Sequence, residues 1–521
     1  MLRPHMLPYV RFAYLFLLLG ALFGLVYSLQ LVGVLEELIR PDLARSLHIS
    51  LMLYGFAPLM LSLLPFALFE KEGLDLAPGM AWLKRYLLLW FVFLLFMVLS
   101  IAAGVVRGLP FYDFAYELNV LLALSGLFYF VAILKIIKEY ALKPLWVKVS
   151  LAVVAVSPFA LLLLMNPDYG QVEKMMLGPH GDNTLGMSFA LLVLYYLVIK
   201  LHAPTDFRPR RHALWIIPLA FYALSVLYRS FVGPISYNAE WFLQYLTLLY
   251  LPMLWTWWKD AGLKPGMHLA LFISLAAFVF ADVEGNILFI PELRALFHRN
   301  DLVVGHAHIA VALAMLFLAF AIMEPVAKLS RRLLLFLTGA VVLMALVLSL
   351  SGFTQAGFGN FDTETMWQWR AFAGVLFFSG LFAFYNYFAS LKGATPLRLY
   401  HLTAFMSDGI GGMMLLFFGG YLYALIGQGY APGYQNIVFG FVTAVGLMHL
   451  AGYLIPRYAH AFGWATATAR IITAGGFFAL YKAEVLGWIA PAIAAVDLAF
   501  ALTYLLYFQD KKEASDENTL R

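Results

Sequence analysis

The sequence predicts an all-α, polytopic membrane helical bundle. Of its 521 residues, 63% are hydrophobic and 12% are charged, whereas soluble proteins have about half apolar and about a quarter charged residues. Apolar runs of about twenty residues, each long enough to cross a ~30 Å hydrocarbon layer as a helix, recur from Phe12 to Phe508. In such a chain the net charge of +5 comes from basic residues in loops, whose distribution reports the orientation in the membrane. We therefore expect contact with membrane lipid and no binding of nucleic acid.

The apolar runs set the expected domain organisation. The first run follows basic residues, but it is too long for a signal peptide and no cleavage site follows, so we expect a retained first helix. Residues 1–395 are expected to form a twelve-helix core, 396–508 three to four additional transmembrane helices, and 509–521 a polar cytoplasmic tail. The twelve runs lie near 12–35, 46–68, 86–106, 118–134, 149–165, 183–199, 213–230, 241–258, 267–290, 303–325, 333–351 and 371–390.

Basic residues set the expected orientation. Lysines and arginines concentrate in the even-numbered loops, as at Lys135, Lys138, Lys200 and Arg210. By the positive-inside rule these loops and the N-terminus are cytoplasmic, in a multi-pass protein of the cell (inner) membrane. The same orientation places four histidines near the outer face, which is the shared depth that a metal or haem site requires. They are His48, His180, His306 and His308.

Cysteine is absent. This excludes disulfides, iron–sulfur clusters, a thiolate copper centre and covalent C-x-x-C-H haem attachment within this chain. A redox metal bound here would need histidine, methionine, tyrosine or carboxylate ligands.

Two histidines lie two residues apart in an apolar run. On an α-helix, His306 and His308 differ by about 200° in direction and therefore point to opposite sides. They cannot bind the same metal, so if both are ligands the helix stands between two metal centres. Hydrogen bonding to neighbouring helices is the alternative, but intramembrane ionisable residues usually have a functional role.

Four stretches of the first 390 residues carry a recognisable pattern. They are ARSLHISLMLYGF (44–56), MNPDYGQVEKMMLGPHGDNTLG (165–186), FHRNDLVVGHAHIAVALAM (297–315) and LSLSGFTQAGFGNFDTETMWQWRAFAGVLFFSGL (348–381). Together they resemble subunit I of the haem–copper oxidase superfamily, on the branch of the nitric oxide reductases and cbb3-type oxidases. The resemblance implies a twelve-helix haem–copper oxidase-like core.

The resemblance also implies cofactors and ligands. His48 and His308 would be the axial ligands of a low-spin haem b, and His306 would bind a high-spin haem b at the catalytic centre. Arg370 would lie near the haem propionates, where a guanidinium can form two hydrogen bonds to a carboxylate. Alternatively, Arg370 would simply extend its side chain from the helix end towards water.

The sequence departs from the family at the second metal. The family binds a copper or iron with one histidine from the sixth helix and a histidine pair on the seventh, but Ile235 and Ser236 stand where the pair is expected. Either His180 or Asp182 falls at the sixth-helix position, as a metal ligand or catalytic residue. A three-histidine site therefore cannot be drawn. With Tyr237 and Asn238, these residues would suit a harder metal than copper.

Polar residues elsewhere in the apolar runs have other candidate roles. Asp282 and Glu284 could be proton-exit groups, propionate neighbours, hydrogen-bond partners of ligand histidines, or acids in the headgroup region. Near Asp408, glycines are expected to be helix-packing notches, since no P-loop lysine follows them. His401 and His449 are expected to serve packing or hydrogen bonding.

Three functions are consistent with these residues. The first is a respiratory oxidoreductase subunit with two b-type haems, passing electrons from a partner cytochrome c, a cupredoxin-like subunit or quinol to O2 or NO, as a terminal oxidase or a nitric oxide reductase-like enzyme. The second is a haem electron-transfer or gas-sensing subunit without the second metal. The third is a transporter.

Overall fold

The computed structural model describes residues 2–33, 39–107, 113–138, 145–164, 166, 181–210, 212–297, 299–327, 329–390, 396–425, 427, 429–486 and 489–508. Within these ranges all regular structure is helical. Ten of the described helical segments are long and apolar enough to span a membrane, so the all-α polytopic prediction is confirmed. Helices satisfy their own backbone hydrogen bonds, which a lipid environment requires.

The described part of the first 390 residues consists of α-helices joined by loops and by short 3-10 and π-helical segments. In chain order they are α1 Leu2–Leu31, α2 Pro41–Leu51, α3 Ala57–Lys71, α4 Ala77–Ala102, α5 Asn119–Ile137, α6 Leu145–Leu164, α7 Gly181–His202, α8 Ile216–Phe231, α9 Tyr237–Tyr245, α10 Leu251–Asp260, α11 Leu269–Leu288, α12 Pro291–Phe297, α13 Asp301–His308, α14 Leu316–Met323, α15 Arg331–Gln355 and α16 Thr363–Ser390.

The later helices also lie in the expected region. They are α17 Pro396–Ala404, α18 Gly411–Leu425, α19 Pro432–Leu454, α20 Ala459–Lys482 and α21 Ile489–Tyr507. The chain divides into two compact units, one of residues 1–32 and 41–385 and the other of residues 33–40 and 386–521. The predicted polar tail, 509–521, lies outside the described residues.

Among the described residues, three helical segments contain a π-helical turn. Met52–Phe56 joins α2 to α3, Ile309–Met315 joins α13 to α14, and Phe405–Ile410 joins α17 to α18. Such turns are rare and often mark functional sites. His48 lies one turn before the first, and His308 immediately precedes the second.

The start of α13 is held by side chains from two other helices, α15 and α16. One carboxylate oxygen of Asp301 (Oδ2) accepts hydrogen bonds from Ser351 Oγ at 2.6 Å and Gln355 Nε2 at 2.9 Å, both on α15. The same oxygen accepts from Trp367 Nε1 of α16 at 2.7 Å. Asn300 caps the helix by accepting from the Leu302 amide. These contacts fix the helix that carries His306 and His308.

Glycines allow close helix packing in the second unit. A Cβ built on Gly446 of α19 would lie 2.1 Å from the Gly409 nitrogen, and one on Gly412 would lie 2.6 Å from Thr443 Oγ1. Only glycine fits such backbone approaches, so the prediction that the glycines near Asp408 are packing notches is confirmed.

Candidate functional site

The structure brings the imidazole rings of His48 of α2 and His308 of α13 close together and nearly parallel. Their imidazole ring centroids lie 6.5 Å apart and the ring planes differ by 21°. Two imidazoles that share one metal through bonds of about 2 Å place their ring centroids about 6.3 Å apart. The separation of the two rings therefore matches that of two histidines bound to one metal ion.

Hydrogen bonds to backbone carbonyls fix the tautomer of each ring. His48 Nδ1 lies 2.8 Å from the Gly20 carbonyl oxygen of α1, and His308 Nδ1 lies 2.7 Å from the Val304 carbonyl oxygen. A carbonyl only accepts, so each Nδ1 carries the proton and each Nε2 keeps its lone pair. An imidazole whose second nitrogen is bound to a carbonyl is the usual arrangement of a metal-ligating histidine.

Gly24 of α1 makes the space that His48 occupies. A Cβ at this position would lie 2.5 Å from His48 Nδ1 and 2.7 Å from Cε1, which no packed structure tolerates. The sequence alone does not single out Gly24, because the role of this glycine depends on the approach of α1 to α2. Its spacing of one helical turn from Gly20 is the one signal that the sequence offers.

Arg370 of α16 is an electrostatic neighbour of both histidines. Its side chain is buried, with the residue 6% exposed, so it does not reach water. Among the residues that the structure describes, its Nε and Nη2 atoms have no hydrogen-bond partner. Buried guanidinium donors need acceptors, and the carboxylates of a haem between the histidines would supply them. The residues present fit the cofactor that the resemblance implies.

His306 lies against a different helix from His308. Its Nδ1 is 3.1 Å from Glu284 Oε2 of α11, and Gly285 gives its ring room, since a Cβ there would lie 3.3 Å from His306 Cε1. Of the roles considered for Glu284, the geometry shows the hydrogen bond to a candidate ligand histidine. The bond fixes the ring orientation and directs the proton to Nδ1.

Buried polar atoms without hydrogen-bond partners lie near Asp282 of α11, which is itself an electrostatic neighbour of His306. Within the described part of the chain, Asp282 Oδ2, Tyr250 Oη and Asn286 Oδ1 are buried and unpaired. Asn286 Nδ2 donates to Thr247 Oγ1 at 3.1 Å. Buried polar atoms usually contact water or a bound group, so this side of α13 is suited to a polar ligand.

The structure assigns structural roles to residues at the expected second-metal position. Ser236 caps α9 by accepting from the Ala239 amide, and Tyr237 donates its hydroxyl hydrogen to the Phe289 carbonyl at 2.9 Å. His180 and the side chain of Asp182 lie outside the described residues. Among the described residues around His306, no three metal-ligand side chains converge.

One group of metal-ligand residues does converge at another place. His202 at the end of α7, His268 before α11 and Glu324 after α14 bring ligand atoms within 4.8 Å of one another. Lys71 Nζ bonds to the Lys200 and Leu201 carbonyls beside His202, and this positive charge opposes binding of a cation. The group is better described as a half-buried carboxylate with two histidines.

Comparison with models of known protein families gave no match for this chain, and no curated protein matches it.

Proposed function

We propose that this chain is a haem-binding oxidoreductase subunit of a membrane, with a low-spin haem b between His48 and His308. The observation that carries the proposal is the 6.5 Å separation of two nearly parallel imidazole rings, each oriented through Nδ1 so that Nε2 is unprotonated. Arg370 supports it, because its buried donors match the propionates of such a cofactor.

Each of these residues has a definite task. His48 and His308 would hold the haem iron, and Arg370 would bind the haem carboxylates. Haem b bound there supplies reversible one-electron transfer. Because both nitrogens of the histidine rings are engaged, neither ring can take up a proton during electron transfer.

The second part of the proposal concerns His306. On the other face of α13, this histidine would bind a high-spin haem b, with Glu284 orienting the ring. Electrons would arrive from a partner cytochrome c, a cupredoxin-like subunit or quinol and would leave to O2 or NO. The protein would lie in the cell (inner) membrane, with its N-terminus on the cytoplasmic side.

A non-catalytic haem subunit is the second candidate. It is favoured by Ser236 and Tyr237, which serve as a helix cap and a hydrogen-bond donor to a carbonyl. Terminal reduction of O2 or coupling of NO uses a metal next to the haem. A chain without this metal would transfer electrons or sense a gas.

Optical spectra of the purified protein test these alternatives. We expect His48→Ala and His308→Ala each to remove the low-spin haem b signal from reduced-minus-oxidised spectra. His306→Ala should preserve that signal and abolish the spectral shift on CO binding. His212→Ala, a half-buried histidine elsewhere, is the matched control and should change neither.

The outcomes separate the candidates. Equal loss of both signals in all three variants would contradict the assignment of His306 and His308 to different haems on opposite faces of α13. Wild-type protein that contains no haem would favour the transporter instead. A CO shift together with one copper or non-haem iron per chain supports the catalytic form. A CO shift without a second metal supports gas sensing.

A further inference from the structure

An aromatic cavity lies where the loop between α7 and α8 meets the end of α10. Its volume is about 520 Å³, which is in the range of small-molecule sites. The wall combines aromatic side chains with a cation and an imidazole, and it includes Tyr196, Arg210, His212, Trp215, Ile216 and Trp257. None of these residues takes part in the proposed haem function.

The cavity lies at one face of the membrane, because α7 ends, α8 begins and α10 ends around it. Tryptophan and tyrosine concentrate at this depth, where an aromatic ring can contact both lipid and water. Directly after Ile216, an exposed apolar stripe begins on α8, formed by Ile217, Leu224 and Phe231. Residues seven apart differ by only about 20° around a helix, so the stripe leads from the cavity along α8 into the hydrocarbon layer.

Arg210 is held in place by Asp260 without using its outer donors. The backbone amide of Arg210 donates to Asp260 Oδ2 at 3.0 Å, and the side-chain Nε lies 3.2 Å from Asp260 Oδ1. Within the part of the chain that the structure describes, no hydrogen bond engages Nη1 or Nη2 of Arg210. These two groups can therefore donate to two oxygens of one phosphate, which suits the planar fork of a guanidinium.

His212 adds a second polar group to the wall. Its Nε2 atom is buried and has no hydrogen-bond partner among the described residues. The centroid of its ring lies 6.5 Å from the Trp257 ring, which in turn lies 5.1 Å from the ring of Tyr196. A buried polar atom usually contacts water or a bound group, and an imidazole nitrogen that carries its proton can donate to an anionic oxygen.

The local charge favours an anion. The loop between α7 and α8, residues 203–215, contains three arginines and one aspartate, and it keeps a positive charge when Asp260 is counted with it. Basic pockets between transmembrane helices bind anionic lipid headgroups in this way. A soluble phosphate would use the same donors but would leave the stripe on α8 uncovered, whereas a phospholipid would use both.

We propose that this cavity binds the phosphodiester headgroup of an anionic membrane phospholipid. Arg210 Nη1 and Nη2 and His212 Nε2 donate to the phosphate oxygens. Trp215 and Trp257 contact the glycerol region, and the acyl chains lie along the exposed stripe on α8. This inference rests on residues at one face of the membrane and is independent of the haem proposal.

Native mass spectrometry of the purified full-length protein in detergent tests the proposal. The probes are phosphatidylglycerol, which is anionic, phosphatidylcholine, which carries a positive choline group, and sn-glycerol 3-phosphate, which has no acyl chains. We expect phosphatidylglycerol to bind at least ten-fold more tightly than either of the other two. Equal affinity for phosphatidylcholine would overturn the assignment of an anionic headgroup. Equal affinity for glycerol 3-phosphate would overturn the lipid in favour of a soluble phosphate ligand.

Substitutions test the location of the site. Arg210→Gln should lower the affinity for phosphatidylglycerol about ten-fold, because charge-assisted hydrogen bonds are lost. Arg208→Gln is the matched control: it removes the same charge from the same loop, but Arg208 is exposed and does not line the cavity, so the change should be less than two-fold. His212→Ala removes one hydrogen bond and should lower the affinity about three-fold.

A conservative variant covers the possibility of misfolding. Arg210→Lys keeps the charge but loses the two-pronged donor, so its affinity should lie between those of the wild type and Arg210→Gln, with helicity by circular dichroism as the check on folding. Unchanged affinity in Arg210→Gln would overturn the proposal. So would an equal loss in Arg208→Gln, because attraction would then depend on the charge of the loop alone.

Discussion

The packing of Gly24 against His48 gives a sharp prediction for Gly24→Ala. The added Cβ would lie 2.5 Å from His48 Nδ1, and ordinary contact begins at 3.4 Å, so the ring has to move by roughly 0.9 Å. The Nδ1 hydrogen bond to the Gly20 carbonyl, now 2.8 Å long, would be stretched or broken. The change thus displaces a candidate ligand without altering its chemistry.

The displacement is large compared with what metal ligation tolerates. Ligand distances vary by about 0.2 Å around their preferred values, and loss of a hydrogen bond that orients a ligand lowers metal affinity by about 10- to 100-fold. We therefore expect Gly24→Ala to reduce low-spin haem b per protein at least ten-fold. The CO response that depends on His306 should remain, because that ring packs on α11.

The assay is the reduced-minus-oxidised spectrum, normalised to protein, with Gly374→Ala as the matched control. Gly374 lies on α16, and a Cβ there would meet only Leu25 Cδ1 at an ordinary 3.6 Å. The control should retain the full low-spin signal. A Gly24→Ala protein with an unchanged low-spin spectrum would refute the assignment of His48 as an axial ligand.

Three further predictions concern residues around the candidate site. Glu284→Gln removes the charge that faces His306 Nδ1, so CO affinity should fall about ten-fold with the low-spin signal intact; an equal loss of both signals would contradict separate sites. Asp301→Ala removes three hydrogen bonds that hold α13 and should cost about 2 kcal/mol, seen as a lower thermal unfolding midpoint; an unchanged midpoint would show that the contacts contribute little. Hydrogen bonds from the Thr365 hydroxyl and amide lower the pKa of Asp362 below its usual value of 3.8, so this carboxylate stabilises the fold above pH 3.8 and stops doing so as the pH falls through its lower folded-state pKa. Asp362→Asn should therefore weaken the dependence of the thermal unfolding midpoint on acid pH. An unchanged dependence would contradict the stabilising role of Asp362.

Much of the fold could be predicted from sequence because a bilayer imposes one length and one composition on every crossing. The apolar runs near 46–68 and 333–351 correspond to the helical segments Pro41–Lys71 and Arg331–Gln355. The π-helical turns could not be predicted, since hydropathy is the same for α- and π-geometry. The run 241–258 is likewise divided into α9, a 3-10 turn and α10, a detail without a hydropathy signal.

The candidate site was only partly predictable. Helical periodicity was enough to infer that His306 and His308 point to opposite sides, and the structure places them against α11 and α2 respectively. The carbonyl partners of His48 and His308 depend on backbone positions in three dimensions, so no sequence pattern reports them. The same holds for the ring contact between His401 and His449, which lie 48 residues apart. Those two histidines were expected to serve packing or hydrogen bonding, and the structure shows a hydrogen bond between them.

π-helical turns serve the same purpose in each of the two units. Each turn shifts the helix register, so the residues before and after it face directions that an unbroken α-helix could not combine. In α13 the turn begins directly after His308, which lets His308 face α2 while the following residues pack on α11. In the C-terminal unit the turn contains Asp408, which directs a carboxylate to Arg470 while Gly409 packs against Gly446. Polar groups in an apolar bundle need both a partner and a close-packed backbone, and a local change of helical pitch provides the two together.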